Sequence, residues 1–125
     1  MKCPCCSDKE YKDCCEPFHL GIAFAPNAVT LMRSRYCAFA IPNGEYLMET
    51  TLPEKRKSFS ASDYENWGKI NNWRNLEIIQ TPNENEVEFK AYYIDERGKK
   101  QIHHEHSYFQ KVDGKWYYVS GEFLS

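Results

Sequence analysis

Cys3, Cys5, Cys6, Cys14 and Cys15 place five of the chain's six cysteines within its first fifteen residues, and the chemistry such a density serves is metal ligation. A tetrahedral structural Zn²⁺ takes four thiolate or imidazole ligands, and two short cysteine pairs supply them without needing a hydrophobic core. Cys3 can pair with Cys5 or, at the commoner Cys-x-x-Cys spacing, with Cys6. Adjacent side chains on a helix diverge by about 100°, so Cys14 and Cys15 can turn to one metal only at a frayed helix end. A short helix over 8–13 is expected to provide that end. Four thiolates saturate the ion and leave no position for water or substrate, which makes the zinc structural. Lys2, Lys9 and Lys12 would offset part of the resulting double negative charge. A redox reading of Cys3-Pro4-Cys5-Cys6 needs a preceding strand and a following helix N-terminus to lower a thiol pKa, and no strand is expected before Cys3. Reduced, merely buried thiols are disfavoured too, because the segment is polar at Lys2, Asp8, Lys9, Glu10, Lys12 and Asp13.

Acid–base chemistry gathers on one later segment, His103-His104-Glu105-His106. In an extended strand His103, Glu105, Ser107 and Phe109 share one face while His104, His106 and Tyr108 share the other, so the histidines do not form one cluster. With Phe109 facing inward, Glu105 and Ser107 line an aromatic pocket that Trp116 and Tyr118 help to wall. Burial would raise the Glu105 pKa toward neutrality and suit it to general-base work. An inward Arg33 or Arg35 would instead neutralise it as a structural pair. His104 and His106 point together but are two ligands where a metal needs more, so they read as an exposed polar strand face. Cys37 reads as a buried free thiol, and Tyr92, Tyr93, Tyr108, Tyr117 and Tyr118 as cross-strand pairs.

The elements that must position these groups follow from periodicity and punctuation. Asn27 caps a helix over Ala28 to Ile41 that is stopped by Pro42-Asn43-Gly44, with Val29, Met32, Tyr36 and Phe39 as its apolar stripe. Arg33 and Arg35 lie about 200° apart on it, so one can face inward while the other stays solvated or ties to adjoining chain. A second helix runs over Glu45 to Thr51, and Ser62-Asp63-Tyr64-Glu65 has the form of a capping box opening a third over Tyr64 to Asn71. Strands follow at Leu76 to Gln80, Glu86 to Ile94, Gln101 to Lys111 and Lys115 to Phe123. The turn signals Thr81-Pro82-Asn83-Glu84-Asn85, Asp95-Glu96-Arg97-Gly98 and Asp113-Gly114 separate them. Val87, Phe89, Ala91 and Tyr93 give the second strand an apolar face for the helices. Helices followed by an antiparallel meander make an α+β domain.

Composition sets the outer limits. With 125 residues, 42% apolar and 15% aromatic, the chain can bury one core and carry a small metal module. The formal charge is −2 and the pI about 6.1, so nucleic acid is not favoured as a partner. No apolar run approaches the ~20 residues of a membrane helix or resembles a secretory leader, and a cytoplasmic location is expected. In that reducing compartment clustered cysteines hold metals more often than disulfides.

Cys-Pro-Cys-x-Ser-x-Lys-x-Tyr-Lys-x-Cys-Cys resembles the SEC-C motif, the zinc module at the C-terminus of the bacterial preprotein translocase ATPase. The resemblance implies Cys3, Cys5, Cys14 and Cys15 as the ligands. It also places Cys6 and Asp8 where glycines are usual. Leu31-Met32-Arg33-Ser34-Arg35-Tyr36-Cys37-Ala38-Phe39, Tyr46-Leu47, His104-Glu105-His106-Ser107-Tyr108-Phe109 and Gly114-Lys115-Trp116-Tyr117-Tyr118-Val119-Ser120-Gly121 extend the likeness over nearly the whole chain, to the YchJ-like family. That implies a zinc motif over 1–20 and a nuclear transport factor 2-like cone over 26–125, its helices closing over the concave face of the sheet. The resemblance implies a second SEC-C motif at the C-terminus of many members; none is expected within residues 1–125.

Three functional readings follow. The leading one is an interaction or ligand-binding module, with a structural zinc, a protein partner at the knuckle and a small molecule in the cone lined by Arg33, Arg35, Glu105, Ser107, Phe109, Trp116 and Tyr118. The second is a small hydrolase or isomerase with Glu105 as base. The third is a nucleic-acid or ribosome-associated factor using Lys9, Lys12, Arg33, Arg35, Lys55, Arg56 and Lys57. Fold alone does not choose among them.

Overall fold

The computed structural model describes residues 1–124. Its helices are α1 (Glu16–His19), α2 (Ala28–Ala40), α3 (Gly44–Glu49) and α4 (Ala61–Ile70), with short 3₁₀ segments at Tyr11–Asp13 and Pro53–Ser58. Asn27 caps α2 by accepting the Thr30 N–H at 2.8 Å. The helix ends at Ala40, one residue short of the expected Ile41, because a residue preceding proline is pushed out of the helical region. Asn43 caps α3 through the Tyr46 N–H at 3.0 Å. The α4 cap is Ser60 and not Ser62: Ser60 has extended backbone, and its hydroxyl accepts the Asp63 N–H at 3.0 Å. The helix therefore begins about one turn earlier than the capping-box pattern indicates. No helix among the described residues is long and apolar enough to cross a membrane.

Four strands, β1 (Asn72–Asn83), β2 (Glu86–Ile94), β3 (Lys100–Val112) and β4 (Lys115–Phe123), form an antiparallel meander in the order β1-β2-β3-β4. β1 runs well beyond the expected Leu76 to Gln80 and absorbs Pro82. An edge strand tolerates a missing N–H, and three register shifts against β2 accommodate the irregularity. The β3–β4 turn places Asp113 and Gly114 at φ 51° and 82°, the paired left-handed conformation of a two-residue hairpin.

Alternation then sorts the sheet faces. Val87, Phe89, Ala91, Leu76, Phe109 and Trp116 bury against Leu31, Met32 and Tyr36 of α2 to form the main core. The architecture is the expected α+β one, with helices on a single face of the sheet. Glu105 and Ser107 lie on that inner face, both buried.

Candidate functional site

The cysteine cluster is assembled by a tight loop folded onto α2. Lys2 and Glu10 pair as an antiparallel bridge, and Cys3 N–H donates to Lys9 O at 2.8 Å. Between them Cys6 and Asp8 adopt φ of 67° and 70°, the left-handed backbone a glycine would adopt more easily. Cys6 is thereby turned outward and exposed, its Sγ against Pro4 O. The Sγ atoms of Cys3, Cys5, Cys14 and Cys15 all lie within 4.8 Å of one another. The expected helix over 8–13 is only the turn Tyr11–Asp13, since left-handed Asp8 cannot enter a right-handed helix. Cys14 then breaks the backbone at φ −125°, ψ −94° before Cys15 begins α1, and this break lets neighbouring thiols aim at one point.

Side chains from α2 complete the surroundings. Arg33 Nη1 donates to Cys5 O at 2.9 Å. His19 is wedged between modules, with Nε2 donating to Ser34 O at 2.9 Å and Nδ1 accepting from the Tyr11 hydroxyl at 2.7 Å. Burial holds the His19 pKa below its usual value, against the opposing Ser34 carbonyl. Cys37, fully buried, brings its sulfur to 3.8 Å from that of Cys3. Without metal, hydrogen bonding from Cys15 is the largest influence on Cys5 and draws its pKa down to about 4 against burial, while burial pushes Cys3 up to about 12.

A cavity of about 520 Å³ opens between α2, α4, the Ser58–Ser60 segment and the inner sheet face. Arg35, Glu105, Ser107 and Tyr118 line it; Arg33, Phe109 and Trp116 do not. Arg33 leaves α2 on the opposite side toward the knuckle, as the ~200° separation from Arg35 requires. Phe109 and Trp116 join Ala28, Leu31 and Val87 in the core. Most of the wall comes from aromatic residues that sequence reasoning assigned to packing or passed over: Tyr36, Phe39, Phe59, Tyr64, Trp67 and Trp73. The helical stripe of Tyr36 and Phe39 was the available signal, but periodicity does not distinguish a core wall from a cavity wall.

Glu105 departs from expectation. Its Oε1 accepts from His103 Nε2 at 2.7 Å, and its Oε2 accepts from Ser107 Oγ and from the Tyr118 hydroxyl at 3.2 Å. Burial, the largest influence, pushes the pKa up. The His103 and Ser107 hydrogen bonds, the His103 charge and Tyr118 together outweigh it and hold the carboxyl below its ordinary 4.5. Glu105 is an ionised carboxylate, not a base poised near neutrality. Nor is Arg35 its partner: Arg35 Nη1 donates to Leu47 O at 2.9 Å, Thr50 Oγ1 at 2.7 Å and Thr51 Oγ1 at 3.5 Å. His103, which strand alternation put on the same face as Glu105, is the partner that sequence reasoning did not assign to it.

On the outer face His104 and His106 each reach a carboxylate across the β2–β3 pair, Glu88 and Glu86 respectively, both at 2.6 Å. They are half-buried and separately paired, and among the described residues the cysteines are the single group arranged for a metal ion. Three of the basic residues considered for nucleic-acid contact are held by carbonyls: Arg33 and Arg35 as above, and Arg56 by Thr51 O and Glu49 O, both at 2.9 Å.

Comparison with known proteins places this geometry. The family model described as YchJ, middle NTF2-like domain, matches residues 27–121. A UPF0225 protein of Actinobacillus succinogenes is 38% identical over 122 residues, covering 94% of this chain and 79% of the relative. One from Streptomyces coelicolor is 41% identical, covering 98% and 95%. Among solved structures, a SEC-C motif containing protein from Rhodopseudomonas palustris superposes with a TM-score of 0.89 at 36% identity over the full length of both chains. Another from Psychrobacter arcticus gives 0.81 at 30%, covering all of this chain and 84% of that one. The helices over one face of a four-stranded meander and the cysteine loop docked on α2 are thus those of a SEC-C-bearing NTF2-like fold, and the chain belongs to the YchJ family.

Proposed function

We propose that the protein binds a small molecule in its aromatic cavity and that a structural zinc ion holds the N-terminal loop against the cavity-bearing domain. The observation that carries the binding reading is the cavity itself: about 520 Å³, walled mainly by aromatic residues, with polar groups at Arg35, Glu105, Ser107 and Tyr118 beside His103 and, toward the mouth, Ser58, Ser60 and Asp63. That size and composition are those of a ligand site, which runs from about 300 to 1,000 Å³ with sparse, well-placed polar groups. Zinc fits the cysteines by chemistry and by spacing. A tetrahedral tetrathiolate with Zn–S near 2.3 Å has S···S edges of about 3.8 Å, and the Cys5–Cys14 and Cys14–Cys15 pairs stand at 3.6 and 3.9 Å. Cys3, Cys5, Cys14 and Cys15 would hold the ion and Cys6 would not. The ion supplies a cross-link and no chemistry at the cavity.

The test is a small-molecule library screened by chemical-shift perturbation of the tryptophan indoles. Hits are expected to move Trp67 and Trp73, which line the cavity, and not Trp116, which lies in the core. A broad aromatic library that leaves Trp67 and Trp73 unmoved would remove the binding reading.

A second reading has one observation in its favour. Glu105 orients His103, so an isomerase or hydrolase here would use His103 as the proton acceptor with Glu105 as its positioning residue. Turnover that survives His103→Gln would dismiss it.

A further inference from the structure

We infer that the cavity takes a small organic carboxylate: an anionic head on a flat apolar body, seated against the open edge of the Arg35 guanidinium. The inference deepens the small-molecule reading above and rests on it.

Two charged side chains reach the cavity while buried, Arg35 at 5% exposure and Glu105 at 7%, and they stand in opposite states of satisfaction. Both oxygens of Glu105 are occupied, one by His103 and the other by Ser107 and Tyr118. Its charge is answered from within the chain. Arg35 sends all three of its hydrogen bonds from Nη1. Nε and Nη2, which carry three of the five guanidinium N–H donors, reach no acceptor among the described residues, and no carboxylate there forms an ion pair with Arg35.

Nε and Nη2 are also not sealed away. Among the described residues the fully enclosed polar side-chain atoms without a partner are Tyr64 Oη and Trp116 Nε1, so the unused edge of Arg35 keeps an opening, and Arg35 lines the cavity. The guanidinium carbon sits 4.5 Å from the Tyr118 ring centroid and 5.8 Å from that of Tyr64, so two aromatic rings stand beside the cation and neither offers it an acceptor for Nε–H or Nη2–H. In-plane approach to Nε–H and Nη2–H is the geometry of a two-point arginine–carboxylate contact. A buried cation without a counter-charge is costly, and the cost falls away when the counter-charge arrives with a ligand. Trp67, Trp73, Phe39 and Tyr36 then offer flat apolar surface for the remainder of that ligand.

The experiment titrates the full-length, zinc-loaded protein with three probes of one shape: 2-naphthoate, 2-naphthamide and 2-naphthylmethylammonium. The indole N–H shifts of Trp67 and Trp73 are read, with Trp116 as the internal reference. Naphthoate is expected to bind at least ten-fold tighter than naphthamide and tighter still than the ammonium, and Arg35→Met is expected to erase the preference. Because Arg35 also ties down Leu47, Thr50 and Thr51, Arg35→Lys replaces Arg35→Met if the latter does not fold. Lysine keeps the charge without the planar fork and is expected to reduce the preference. Equal binding of naphthoate and naphthamide, or tighter binding of the ammonium, overturns the carboxylate inference and leaves the cavity reading in place. A preference that survives unchanged in the Arg35 variant overturns the assignment to Arg35. If none of the probes moves Trp67 or Trp73, the cavity reading fails and this inference fails with it.

Discussion

Replacing His103 with leucine isolates the His–carboxylate pair whose carboxylate is buried. Glu105 is 7% exposed and loses the His103 Nε2 hydrogen bond in the variant, keeping Ser107 and Tyr118. Leaving a buried carboxylate without its partner costs roughly 3–5 kcal/mol when burial is complete. The His103 side chain is 22% exposed, so water takes up part of the loss, and the expected cost is about 2–3 kcal/mol at neutral pH. Urea unfolding of the wild type, His103→Leu, Glu105→Leu and the double variant reads this as a coupling energy. The double variant is expected to be more stable than either single one, since it removes the carboxylate together with its partner. pH gives the second axis. The folded Glu105 pKa lies below its ordinary 4.5, so its contribution is complete above that value and is lost as pH falls through the folded pKa. The His103–Glu105 coupling should therefore be large at pH 7 and vanish in the acid limb. A coupling below about 0.5 kcal/mol at pH 7 would refute the ionised, His103-paired carboxylate.

The protein should carry about one zinc per chain, with Cys14→Ser losing it and Cys6→Ser retaining it; metal analysis of the purified variants decides this, and equal loss in both would reject the ligand set. Ser60→Ala should cost about 1 kcal/mol as a lost cap while Ser62→Ala stays near neutral, read by thermal unfolding, and the reverse order would contradict the observed cap. Gly121→Ala should destabilise by about 1–3 kcal/mol, because a Cβ there meets the Glu105 carboxylate and the Tyr118 hydroxyl; a silent variant in denaturant melts would show that the carboxylate moves freely. Because burial depresses the folded His19 pKa below 6.5, stability should be full above that pH and decline as pH falls further, and His19→Gln should flatten this part of the pH–stability curve.

The backbone architecture was legible because its signals are local. Asn27, the residues around Pro42 and the alternation of β2 fix α2 and the sheet whatever lies elsewhere. The cysteines were legible for a related reason: ligand type and spacing are written in one short stretch, and the left-handed requirement at Cys6 and Asp8 is what the family's glycines anticipate. The cavity was only half legible. Strand alternation put Glu105 and Ser107 on the inner face, and helical geometry separated Arg35 from Arg33. It could not say that His103 would swing its ring back to Glu105 two positions along the same strand. With Ser107 and Tyr118, that contact holds Glu105 as a carboxylate against its burial. Trp67 falls inside the helix expected over Tyr64 to Asn71, where spacing does not say which face borders a cavity, and Trp73 lies in the opening residues of β1, ahead of the expected start at Leu76.

One helix faces both parts of the molecule. α2 offers Arg33, Ser34 and Cys37 to the cysteine loop and Met32, Arg35, Tyr36 and Phe39 to the cavity, leaving little of its surface uncommitted. A cut after residue 20 would follow the chain's apparent joint, yet it would strip the cover from Cys37, free the Cys5 end of Arg33 and remove His19 from the Ser34 carbonyl. The cysteine motif and the larger domain are separable as text and continuous as a solid. Transplanting this cysteine loop onto another protein would therefore mean carrying the outer face of α2 along with it.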